Sequence, residues 1–339
     1  MKSPLPEMGN NPAITSPVAP ARGALETFQS GGRVRLFTLF ALVLAGLFFK
    51  PLLELVRFSL HSDLHSHAVL IPIISGYLVW LRCKETLPAP TTSPVLAVIP
   101  LAVGLLGLRA LIFDDAPAAP FRPNDYLALA SFTFLCFLWS GALLLLGGKL
   151  LRSLAFPAAF LIFITPLPTG VENALEVFFQ YTSAEAAAFL FAITGSAVFR
   201  EGLVFHLPGI TIQVAQECSG VRSSLVLFLT SLLAGHLFFK SPWRQAALTC
   251  FVIPLAILRN GFRIFTIGEL CVHISPAMID SPIHHRGGPV FFALSLIPFF
   301  LLLLWLRRGE RRLSHTASPL SGLLCFPISA YCFPLVGLV

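Results

Sequence analysis

The chain has 339 residues, 56% of them hydrophobic and 12% charged, with a formal net charge of +7. A soluble domain so composed would expose more apolar surface than water tolerates, and a mean hydropathy of +0.82 spreads that excess along the chain. Lipid is therefore the main solvent. A hydrocarbon core takes roughly 20 apolar residues per helical crossing, so the expected fold is an all-α polytopic transmembrane helical bundle of about 8 to 9 spans.

In chain order, residues 1–32 are rich in Pro, Ser and Gly and read as a disordered cytoplasmic tail. Apolar runs follow at 36–59, 66–81, 94–113, 124–147 and 151–167, then at 221–239, 245–267 and 288–306. Together they make a transmembrane domain over 33–313, and the hydrophobic stretch 314–339 is a candidate further span. Lys50 and Glu54 interrupt the first run at an i,i+4 spacing that lets them pair on one helix face.

The basic residues explain the charge without nucleic acid. They sit between apolar runs: Arg33 and Arg35, Arg82 and Lys84, Lys149 and Arg152, Lys240 and Arg244, and the cluster Arg307 to Arg312. Such clusters orient a membrane protein with its basic loops inside. The tracing puts the N-terminus inside and stays consistent if Val171 to Phe199 does not cross. That segment carries Gln180, Tyr181, Thr182, Ser183 and Glu185, a costly belt at mid-bilayer, and reads as an amphipathic segment at the outer interface. Leu203–Leu207 and Ile210–Val214, joined by Pro208-Gly209, predict a small extracytoplasmic hairpin.

The hairpin delivers the chain to Gln216-Glu217-Cys218-Ser219-Gly220-Val221-Arg222, where a new span starts. The seven cysteines form no CxxC pair and no metal-ligand spacing, so neither metal nor cofactor is expected. Five lie in or beside apolar runs; Cys218 and Cys271 fall in polar, loop-like surroundings. The tracing brings Cys218 to the same side as Asn260 and Arg263 of the following span and as His284, His285 and Arg286 in the next outer loop. A cysteine at a helix N-terminus beside cations has a lowered pKa, a histidine can relay its proton, and an arginine can hold a developing oxyanion. Cys, His and Arg suffice for acyl transfer. Each has an ordinary alternative. A single cysteine is often structural, Arg263 or Arg259 can snorkel to the interface, Arg222 can hold a lipid phosphate, and interfacial histidines are often merely solvated.

Glu217-Cys218-Ser219-Gly220-Val221-Arg222, Asn260-Gly261-Phe262-Arg263-Ile264 and the stretch from His284 to Phe292 resemble the exosortase/archaeosortase family in order and spacing. Ser66-His67-Ala68 followed by Ile71-Pro72 resembles an early family motif, with Ala68 where the family usually has glycine. The resemblance implies a membrane cysteine protease and transpeptidase with Cys218 as nucleophile, Arg263 as catalytic arginine and a histidine as acid/base. Gly288 and Phe292 fit the family's Gly-x-x-x-Phe and select His284 over His285. Arg222, Asn260, Ser219, Gly220, His285 and His67 become supporting residues. The implied partners are exported proteins ending in a sorting signal: a short Pro-Glu-Pro type motif, a transmembrane helix and a basic tail. The implied location is a bacterial or archaeal cytoplasmic membrane, among its lipids, with the site outside. Rival readings are a transporter, which predicts inverted repeats or paired broken helices that are not seen, and a non-catalytic factor for surface polysaccharide or protein export.

Overall fold

A computed structural model describes residues 21–62, 64–84, 87–113, 122–215, 219–280 and 287–316. Eleven α-helices and one small sheet account for most of them. The helices are α1 (Ala21–Leu47), α2 (Phe49–His61), α3 (Leu70–Arg82), α4 (Pro94–Ile112), α5 (Pro123–Leu145), α6 (Gly148–Ser153), α7 (Ala155–Phe160), α8 (Thr169–Thr194), α9 (Val221–Phe238), α10 (Pro242–His273) and α11 (Gly288–Thr316). Six are long and apolar enough to cross a membrane, or seven if α1 and α2, bent by 75°, are one broken span. The chain is thus an all-α polytopic membrane bundle, and its described residues hold fewer full-length spans than the 8 to 9 expected of the whole chain.

The shortfall has a physical origin. The runs expected at 66–81 and 151–167 form short pieces, Ser66–Arg82 and Ala155–Ile164, each beginning or ending in a 3-10 turn. They pack between longer helices: Ile71, Phe160 and Leu229 form one buried cluster. The stretch 317–339, with its candidate span, lies outside the described residues. At the other terminus α1 reaches back to Ala21, into the segment expected to be a disordered tail.

The basic clusters gather at one end of the bundle. Leu146 and Leu150, beside Lys149 and Arg152, pack with Phe37 and Leu87, and Arg33 donates to Pro90 O at 2.9 Å. Arg307 lies 5.2 Å from the Phe238 ring at the foot of α9. Only 11% of the α4 span is buried against 56% of α5, so α4 forms a lipid-facing flank and α5 an inner wall.

At the opposite end, α9 and α10 run antiparallel, with Ser224 meeting Arg259 and Gly235 meeting Gln245. α10 then continues from Asn260 to His273 past the start of α9, an overhang of about 20 Å at 1.5 Å per residue. α8 packs beside this overhang in parallel: Phe179 lies with Ala256, Ala186 with Gly261 and Phe191 with Gly268. Its first residue is fixed at the α5 N-terminus, where Thr169 N–H donates to Asp125 at 2.7 Å. By length and composition α8 could cross, but it starts at the end of the bundle opposite the basic clusters and runs away from them. Two of the polar residues that would burden a crossing, Gln180 and Glu185, have partners here. Gln180 Nε2 donates to Val214 O and Glu185 pairs with Arg200 at 2.8 Å.

The sheet sits on α8 and the α10 overhang. It has the order β1 (Phe199–Glu201), β2 (Val204–Leu207), β3 (Ile210–Gln213), all antiparallel, with Phe205 opposite Ile212 and Leu207 opposite Ile210. Gly209 at φ +84° supplies the positive φ that a two-residue turn after Pro208 requires. β2 and β3 are the expected hairpin; β1 is an additional strand, of which only Phe199 lies in the expected amphipathic segment. Ala184, Ala187, Phe191, Phe205, Ile212, Val214, Ile264, Ile267 and Cys271 form the core of this cap. Cys271, read from sequence as loop-like, is instead buried on the inner face of α10 because the helix outruns its apolar stretch.

Candidate functional site

The site is built around the turn that starts α9. Gly220 adopts φ +74°, which reverses the chain and aims its carbonyl into the first helical turn. That carbonyl accepts from Ser224 N–H at 3.0 Å, Ser224 Oγ at 2.8 Å, Ser223 Oγ at 3.1 Å and Arg259 Nη2 at 3.2 Å. Ser219 O accepts from Asn260 Nδ2 at 3.1 Å. α10 thus grips two successive carbonyls of the turn with adjacent side chains. Ser219, Asn260 and Arg259 are all buried, at 4%, 2% and 8% exposure.

Arg259 does not snorkel. It turns into the bundle because antiparallel packing sets it opposite Ser224, whose hydroxyl it also meets at 3.2 Å. Its Nη1 is buried with no acceptor among the described residues. Arg263 is half-buried one turn further along α10, so two guanidiniums stand near the α9 N-terminus, itself the positive end of a helix dipole. A buried concentration of positive potential favours an anion there. Arg222, on the first turn of α9, is exposed.

Gly261 lets α10 approach α8 closely just beyond Asn260. A Cβ at this position would lie 2.6 Å from Ala186 Cβ and 3.1 Å from Ser183 O, so only glycine allows this approach of the two backbones.

The early motif is carried to the same end. Leu64 packs with Phe179, Val221 and Ala256, which sets the 64–69 segment beside the start of α9. His67 is half-buried, its Nδ1–H donating to Leu64 O at 3.0 Å. Sequence reading passed over His65, which is 2% exposed and 6.5 Å from His67 by ring centroids. Its Nε2 accepts from Leu167 N–H at 3.3 Å, so the proton resides on Nδ1, which lies 3.1 Å from Ser62 Oγ. Burial, assisted by His67, pushes the His65 pKa down to about 4, and burial lowers that of His67 against its bond to Leu64. Its position two residues before His67 was the available signal.

Structure thus brings together Ser219, Gly220, Asn260, Arg259 and the His67 loop, with Arg222 and Arg263 on the adjoining turns. Cys218, His284 and His285 lie outside the described residues. In the chain, Cys218 directly precedes Ser219, and His284 stands four residues before Gly288, where α11 begins. The first turn of α11 packs on the same stretch of α10, with the Phe291 and Phe262 rings 6.1 Å apart.

Among known families, a profile described as transmembrane exosortase matches residues 58–301, which include the early loop, the Ser219–Gly220 turn and the Asn260–Arg263 segment. No curated protein and no solved structure matches the chain.

Proposed function

The chain belongs to the transmembrane exosortase family, and from that premise we propose that it is a membrane-embedded cysteine transpeptidase that cleaves C-terminal sorting signals of exported proteins. The observation that supports the reading is the doubly gripped turn and its two arginines: Ser219–Gly220, which directly follows Cys218 in the chain, is held by α10, and Arg259 and Arg263 stand on that helix. Both favour a thiolate nucleophile.

In the proposed reaction the Cys218 thiolate attacks the scissile carbonyl carbon. Arg263 holds the oxyanion of the tetrahedral intermediate while the C–N bond breaks, and His284 gives a proton to the departing amine. The thioester is then attacked by an acceptor nucleophile or by water, whose proton returns to the histidine, and the thiolate leaves. The basic clusters at the far end of the bundle support an orientation with this site on the outer face of a bacterial or archaeal cytoplasmic membrane. The substrate class is an exported polypeptide ending in a Pro-Glu-Pro type motif, an apolar helix and a basic tail.

The test is processing of such a co-expressed reporter. Cys218→Ala is expected to abolish it, by at least about a thousandfold as for removal of a nucleophile, while the chain still inserts and folds. Unchanged cleavage by that variant refutes the assignment.

A further inference from the structure

The sheet above the site has two edges of different character. In an antiparallel pair, residues alternate between those that exchange both main-chain bonds with the partner and those whose N–H and C=O point away. Val214 N–H donates to Leu203 O at 3.0 Å, which makes Val214 one of the first kind. With Gln213 opposite Val204 and Thr211 opposite His206, the register then makes Ile212 and Ile210 inward-bonded and turns the main-chain groups of Thr211 and Gln213 to the free edge. Both residues are exposed, and their edge-facing groups have no main-chain partner among the described residues.

β1, at the other edge, directs only Arg200 outward, and this residue is occupied. Its guanidinium bonds Gly202 O at 2.7 Å and Glu185 at 2.8 Å. Charge of this kind is how natural sheets discourage strand addition. β3 offers uncharged Thr211 and Gln213 instead. Its other face is rigidly backed, since Ile212 and Val214 are buried in the cluster that contains Ile264 and Ile267, the neighbours in sequence of Arg263 and one turn beyond it. Gln180 holds Val214 O in place. The strand also ends five residues before Cys218.

We propose that the free edge of β3 binds an extended segment of the substrate polypeptide by main-chain hydrogen bonds, adding a fourth strand that leads the scissile bond toward Cys218. This rests on the transpeptidase reading above. Two residues two apart present two N–H and two C=O groups at a spacing of roughly 7 Å, the repeat of another extended backbone. Such recognition is largely indifferent to the side chains bound.

Proline removes an N–H without cutting the β2–β3 ladder when placed at an edge-facing position. Thr211→Pro and Gln213→Pro are expected to slow reporter cleavage at least tenfold. Thermal unfolding of the full-length chain in detergent checks that each variant is folded. A binding measurement independent of chemistry uses the full-length Cys218→Ala chain with a photo-reactive phenylalanine in place of Gln213 or Arg200. Illumination should capture the co-expressed reporter from position 213 and not from position 200. Equal capture at both, capture of a second copy of this chain, no capture at 213, or wild-type cleavage by folded proline variants overturns the proposal. Cleavage of the reporter by Cys218→Ala would instead sink the enzyme reading, and the capture pattern would still judge the edge.

Discussion

Gly220→Ala probes the turn directly, and Gly209→Ala calibrates it. Both glycines have positive φ, +74° and +84°, so each alanine carries a backbone cost of about 1–2 kcal/mol. They differ in surroundings: a Cβ at Gly209 meets nothing within 4 Å, whereas one at Gly220 lies 3.0 Å from Asn260 Oδ1 and 3.3 Å from Arg259 Nη2. To make room, Asn260 and Arg259 must retreat from the carbonyls of Ser219 and Gly220. Weakening a neutral bond and a charged one forfeits about 1–2 kcal/mol more. A site displacement costing about 2–4 kcal/mol corresponds to roughly 30- to 800-fold in rate. Reporter processing should fall in that range for Gly220→Ala and by less than threefold for Gly209→Ala. Alkylation of Cys218 by a membrane-impermeant reagent at neutral pH should slow in Gly220→Ala alone. Equal behaviour of the two variants would refute the claim that the grip on this turn serves the nucleophile.

Arg259→Met should lower processing by roughly 10- to 100-fold through loss of charged hydrogen bonds to Gly220 O and Ser224 Oγ, with Arg259→Lys recovering part of the thiol reactivity but less of the rate; kinetics beside pH-dependent alkylation separates the two effects. Gly261→Ala should lower thermal stability by about 1–3 kcal/mol, because the new methyl must push α8 from α10, and a melting temperature unchanged from wild type would contradict that close approach. The His65 clamp is pH-sensitive in a defined direction. With its folded pKa pushed to about 4 from 6.5, His65 must stay neutral to accept from Leu167, so its contribution is complete above about pH 6.5 and is lost as the pH falls toward 4. The stability gap between wild type and His65→Phe should therefore narrow from pH 7 to pH 4 in thermal melts; a gap that widens would reverse the assignment of neutral His65 as acceptor.

The bundle was legible because lipid imposes simple rules: apolar length marks crossings and basic clusters mark one end. Helix pairing was less so. Nothing in the local hydropathy distinguishes the α10 residues before Asn260, alongside α9, from the overhang after it, since Ile264, Ile267 and Cys271 are as apolar as any lipid-facing residue yet are buried under the sheet. The same ambiguity hid β1 and placed Cys271 in a loop. Arg259 was misjudged for a related reason: snorkelling is the default for an arginine at a span end, and only the partner across the helix pair, Ser224, reveals that this one points inward.

The overhang gives those buried contacts a common purpose. A bundle ending level with α9 would leave the Ser219–Gly220 turn at the rim, held from one side. Extending α10 past the turn brings Arg263 onto the cap's supporting helix and lets Gly261 admit α8. α8 in turn fixes β3 through Gln180 and Val214. Side chains that hold the turn and the strand leading into it therefore share one rigid helix, whose Arg259 and Asn260 reach the turn while Ile264 and Ile267 back the sheet. Loosening the α8–α10 contact should disturb both together. Gly261→Ala ought to impair reporter capture at position 213 as well as processing, whereas Arg259→Met, which leaves the cap's core intact, should impair processing and spare capture. Loss of capture in both variants, or in neither, would break the link drawn between helix approach and strand placement.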